Sequence, residues 1–111
     1  MQTLIKYRYT DASNWKFFGS IVVDGAVSAK DVNRYLFDTD SFIPHEVGMD
    51  HLLNMPLNED DHYLHQFDSF EPTINGSCSC TKSEFIKRFR EASRKGWFFS
   101  FSEEPLNYAF A

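Results

Sequence analysis

The stretch TKSEFIKRFREASRKG, residues 81 to 96, limits the fold more than any other part of the chain. Thr81 and Glu84 have the spacing of a capping box, in which a hydroxyl and a carboxylate each satisfy a free backbone donor at a helix start. Phe85, Ile86, Phe89 and Ala92 then recur at helical spacing, and Gly96 supplies a stop. An amphipathic helix is predicted, with one narrow apolar stripe. Such a stripe is stable only against a second layer. Much of the remaining apolar sequence alternates with polar residues at the period of a strand, so a helix on a sheet is expected.

Five further segments read as strands. TLIKYRY sets Ile5, Tyr7 and Tyr9 against Leu4, Lys6 and Arg8. FFGSIVVDG is a buried, central strand, with Gly19 as a bulge and Asp24-Gly25 as a turn. HYLHQFDSFE alternates Tyr63, His65 and Phe67 with His62, Leu64 and Gln66 and ends at Pro72, and WFFSFS puts Trp97, Phe99 and Phe101 on one side. FIPHEV is a strand at an edge or with a bulge, because Pro44 has no donor for a ladder. A second helix is predicted from Ser28 to Asp38 on the spacing of Val32, Tyr35 and Leu36. Residues 48 to 61 read as a long connection.

In order, these elements give an α+β fold: a single domain over residues 1–111, with an antiparallel sheet and two helices. The arrangement is a strand followed by β-α-β-β-α-β, which is ferredoxin-like with an extra N-terminal strand. Twelve Phe, five Tyr and two Trp exclude a disordered chain, whose low hydrophobicity would not offset the entropy of ordering. That topology hosts unrelated functions, so it identifies none.

MQTLIKYRYT lacks the apolar run of a signal peptide, and the tracts FFGSIVV and WFFSF fall well short of the roughly twenty residues that span a bilayer. A cytoplasmic protein without a membrane partner is expected. Cys78 and Cys80, in NGSCSCT, would close a strained ring if bridged, so they are read as free thiols in a turn-rich loop.

The net charge of −5 conceals segregation. No Lys or Arg occurs between Arg34 and Lys82, whereas nine carboxylates do. Asp50, Glu59, Asp60 and Asp61 are the candidate partner-binding residues of this acidic tract. The helix at 81 to 96 is basic. Its Glu84 and Glu91 have i, i+4 partners in Arg88 and Lys95, which leaves Lys87, Arg90 and Arg94 as an outward-facing cationic group opposite Phe85 and Phe89. Solvated faces account for both features. The functional alternative is a surface that steers a charged partner. Nucleic acid is disfavoured, since the acidic tract repels phosphates, and KYRY is explained by strand alternation more simply than by base stacking.

HEVGMDH, residues 45 to 51, poses the question of a metal site. Its histidines are six apart, whereas a metal-binding helix places two at i and i+4; on a helix His45 and His51 diverge by about 240°, and on a strand they lie roughly 20 Å apart. A composite site with His62 and His65, across a hairpin, is the alternative. The chain has no nucleophile elbow, P-loop or dinucleotide fingerprint, so no cofactor is expected and no residue is assigned as catalytic. The reading is therefore a small acidic binding protein that engages another protein through charged surfaces, with a homodimer as one form of partner. The alternative is a metal-dependent hydrolase using His45, His51, His62 and His65.

Overall fold

A computed structural model describes residues 1–53, 62–74 and 76–97. Strands β1 (Gln2–Thr10), β2 (Lys16–Asp24), β3 (Gln66–Thr73) and β4 (Cys80–Thr81) form one sheet in the order β3-β1-β2-β4, and helix α1 (Lys82–Lys95) follows β4 directly. The sheet is mixed. β1 pairs antiparallel with β2 from Gln2↔Asp24 to Thr10↔Lys16 and antiparallel with β3 on its other side, while β4 runs parallel to β2 at Val23↔Cys80 and Asp24↔Thr81.

The β1–β2 hairpin follows from local chemistry. Asn14 adopts a left-handed φ of 68°, and the Asp11 side chain accepts from the Trp15 amide at 2.9 Å, closing the turn. Thr3, Ile5, Tyr7 and Tyr9 face inward and are buried, as the alternation in TLIKYRY requires. Helix α1 forms as its sequence predicts: the Thr81 hydroxyl accepts from the Glu84 amide at 3.2 Å, the Glu84 carboxylate accepts from the Thr81 amide at 2.9 Å, and Phe85, Phe89 and Ala92 are buried.

The ferredoxin-like layout is overturned. Among the described residues there is one α-helix, and the strand taken as an N-terminal extra lies inside the sheet, hydrogen-bonded on both sides. β2 also lies in the interior of the order, but Gly19 makes no bulge. The register runs unbroken through Tyr7↔Gly19, and a Cβ at Gly19 would come within 2.7 Å of a Leu52 methyl. The glycine admits a crossing side chain instead. The register shift falls between β1 and β3 at Lys6/Tyr7, where Asp68 is the extra residue and pairs with Arg8.

The helix expected from Ser28 to Asp38 is replaced by two 3-10 turns, Ala29–Asp31 and Asn33–Tyr35. Its start signal is present, since the Ser28 amide donates to the Asp31 carboxylate at 2.9 Å. Regular helix is broken where Val32 leaves helical geometry at φ −126° and Leu36 becomes extended at ψ 148°, and Asp38 and Thr39 then turn left-handed; the freed Tyr35 carbonyl accepts from the Trp97 indole N–H at 2.7 Å. The strand expected in FIPHEV shrinks to one antiparallel bridge, Phe42↔His65, because Pro44 opens a third 3-10 turn, Pro44–Val47, stopped by Gly48 at φ 72°. The strand expected at 62 to 71 begins later, as β3, and continues through Pro72. The final strand lies outside the described residues from Phe98 onward, and Trp97 itself sits in a turn.

Helix α1, the three 3-10 turns and the coil between them all cover one face of the sheet. The core joins Ile5, Tyr7 and Val23 to Val32, Phe42, Ile43 and Val47 and to Phe85, Phe89 and Trp97. Aromatic rings link the layers: Phe42 stacks on Phe67 at 4.4 Å between centroids, and Phe89 lies 5.6 Å from both. No helix among the described residues is long and apolar enough to cross a membrane.

Candidate functional site

Helix α1 presents its buried stripe to the sheet, so its charges point away from the core. Lys87, Arg90 and Arg94 are exposed and fall within about 60° of one another on the helix, as spacings of three and four dictate. Arg94 is not unpartnered as expected. Its guanidinium donates to Glu91 at 2.6 Å, an i, i+3 pair, and this bond holds the Glu91 carboxyl below its ordinary range. Glu84 belongs to the cap, whose Thr81 amide and hydroxyl hold its carboxyl below the ordinary range. Lys87 and Arg90 form no ion pair or hydrogen bond among the described residues. They are the part of the ridge able to take a new partner.

Of the acidic candidates, Asp50 is exposed, and its backbone carbonyl accepts from the Tyr7 hydroxyl at 2.6 Å. Burial raises the Tyr7 pKa, with a further contribution from Asp50. Glu59, Asp60 and Asp61 lie outside the described residues.

The four histidines occupy one end of the molecule, but their rings do not converge on a common point. His65 is fully buried: its Nε2 accepts from the Leu52 amide at 3.0 Å, and its Nδ1–H donates to the Tyr63 carbonyl at 3.1 Å. His62 has the opposite tautomer, with Nε2–H donating to Thr10 O at 2.8 Å and Nδ1 accepting from the Leu64 amide at 3.1 Å. Both rings are therefore fully engaged by backbone. His51 accepts from the Leu53 amide, and His45 lies 3.3 Å from Glu46 with its ring edge-on to Tyr63. Among the described residues no three His, Cys, Asp or Glu side chains are grouped as metal ligands would be.

Cys78 and Cys80 are free thiols. Cys78 is exposed and accepts from the Gln2 side-chain Nε2 at 3.0 Å, while burial of Cys80 raises its pKa away from the reactive thiolate.

The sequence reading missed the open face of the sheet. Phe18 is 67% exposed there, paired across the hairpin with Arg8, and Lys6, Ser20 and Asp68 surround it in a shallow concavity of about 370 Å³. The signal was the strand parity of Phe18 with Lys16 and Ser20, which puts an aromatic on the solvent side. Lys6 pairs with Glu71 at 3.2 Å, and the Ser69 hydroxyl and Lys6 hold that carboxyl below its ordinary range.

No protein-family model, curated protein or solved structure matches this chain.

Proposed function

We propose that this protein binds another protein through charge, with the α1 ridge of Lys87, Arg90 and Arg94 receiving an acidic surface of the partner. The observation that carries the reading is the ridge itself: three cations on one exposed line, two of them unpaired among the described residues, on a helix anchored along its opposite side. Complementary charge of this kind acts mainly on association rate and specificity and weakens with salt. The acidic tract, Asp50 with Glu59, Asp60 and Asp61, extends the reading to a partner that also carries basic groups. A second copy of the chain is one partner with both signs. The protein acts in the cytoplasm, without a catalytic step.

The test is affinity capture of partners from the native cytoplasm, with wild-type and K87E/R90E protein compared at low and high salt. The reading expects a bound protein that the variant loses by tenfold or more at low salt and that salt elutes from the wild type. Recovery of the same proteins by both would overturn it. Analytical ultracentrifugation of the same pair separates self-association, which charge reversal would abolish, from capture of a different protein.

A further inference from the structure

His65 stands where the coil preceding β3 meets the sheet. Its ring is closed in by Tyr9, Tyr7 and Phe42, with centroids 5.1, 6.2 and 6.2 Å away. The neutral ring with its proton on Nδ1 satisfies both neighbours, Tyr63 O and Leu52 N–H. A second proton on Nε2 would face the Leu52 N–H, donor against donor, inside an aromatic wall. Leu52 is in turn the residue that crosses Gly19, and the adjoining Asp50 is tied to the sheet by the Tyr7 hydroxyl.

We propose that His65 is an acid-sensitive latch, which fastens residues 50–53 to the inner face of the sheet while neutral and releases them on protonation.

The surrounding charges favour release. Three other histidines face the ring: His62 on its own segment, His51 beside Leu52, and His45 in the Pro44–Val47 turn, where Glu46 engages it. From β1 come the hydroxyls of Tyr7 and Tyr9, one donating to Asp50 O and the other accepting from the His62 amide. Asp50 approaches through its carbonyl, and its residue is exposed. Among the described residues no carboxylate bonds the imidazole, and each charged histidine repels the next. Burial, followed by these repulsions and against the pull of the Tyr63 carbonyl, lowers the His65 pKa from 6.5 to about 4. An opened segment would restore the ordinary value. Opening is then favoured roughly tenfold for each pH unit between 6.5 and about 4, reaching about 150-fold at pH 4.

The decisive experiment is amide hydrogen exchange of the full chain at pH 7, 5.5 and 4.5, corrected for intrinsic rates, with imidazole nitrogen shifts followed by NMR. The latch predicts that the Leu52 amide opens about 8-fold more at pH 5.5 than at pH 7, and about 60-fold more at pH 4.5, while the Phe85–Ala92 amides stay protected. In H65Q, where an amide oxygen replaces Nε2 as acceptor and does not titrate, that pH dependence disappears. Constant Leu52 protection down to pH 4.5 would overturn the proposal, as would loss of the helix amides in the same transition. An H65Q chain that folds and still opens with acid as the wild type does is equally fatal. If H65Q does not fold, the wild type decides: a His65 ring titrating near 6.5 with Leu52 still protected defeats the latch.

Discussion

Helix α1 and the coil of residues 25–53 cover the same face of the same sheet, but they are held by different forces. The helix is fixed by apolar area: Phe85 and Phe89 are essentially inaccessible and contact each other, Phe67 and, through Phe89, Phe42 and Trp97. The coil also buries Val32, Phe42, Ile43 and Val47, yet its course is set by single polar bonds. Thr3 donates to Gly25 O at 2.7 Å and accepts from the Val27 amide, Tyr7 holds Asp50, and His65 holds Leu52. Non-directional burial is graded and insensitive to pH. A buried polar bond is made or unmade, and breaking one partner leaves the other with its full desolvation penalty.

The contrast predicts a ranking. Phe89→Ala should have the largest effect, about 3–5 kcal/mol, because it removes a ring inaccessible to solvent at the junction of both layers. Urea denaturation measures it. A loss below 1 kcal/mol would mean that α1 is not fixed by its stripe.

Second comes pH. His65 is neutral in both folded and unfolded chains above about 6.5, so stability there is undiminished. Below that value the unfolded chain takes up a proton that the folded one resists down to about pH 4, so stability declines across this window by about 3 kcal/mol. Denaturation midpoints of wild-type and H65Q chains at pH 7 and 4.5 isolate the contribution, since the carboxylates titrate in both. Equal losses would remove the polar half of the comparison.

The same contrast explains what could be read from the sequence. β1, β2 and α1 depend on periodicity and on caps within a few residues, and TLIKYRY and TKSEFIKRFREASRKG state these directly. The stretch from Ser28 to Asp38 carries a genuine start signal, but its backbone leaves the helix at Val32 and Leu36 and its Tyr35 carbonyl is satisfied by the Trp97 indole, 62 residues away, a contact no local spacing shows. Pro44 is ambiguous for a related reason. Its missing donor fits an edge strand or the first position of a turn, and the structure uses it for the turn that Gly48 closes, after the bridge of Phe42 to His65. The geometry of the candidate ridge was legible to a similar depth. Lys87, Arg90 and Arg94 share a helix face by spacing alone, whereas the role of His65 required knowing that Leu52, 13 positions earlier, lies against its ring.

Caps give a smaller and more local difference. Thr81→Ala should cost about 1 kcal/mol, because the hydroxyl satisfies the Glu84 amide at the head of a helix of 14 residues. Ser28→Ala should cost less, since the pairing in that turn runs from the Ser28 backbone amide to Asp31, and the turn it begins is only three residues long. Thermal unfolding of the two variants compares them, and a larger loss at Ser28 would show that the coil depends on its local turns more than on its long-range bonds.

The smallest effect is expected where the proposed function resides. Lys87 and Arg90 are exposed and take no part in the cap or the apolar stripe, so K87E/R90E should shift stability by no more than about 0.5 kcal/mol. At position 90 the new carboxylate gains Arg94 at i+4 in place of a like charge, which offsets the repulsion of the one at 87 by Glu84 and Glu91 at i−3 and i+4. The same double substitution is expected to remove the partner. A variant that keeps its melting temperature and loses its partner separates the surface that binds from the layers that fold. A drop of 2 kcal/mol or more, on the order seen for buried networks, would instead mean that these cations hold the structure together, and the ridge would then belong to the fold.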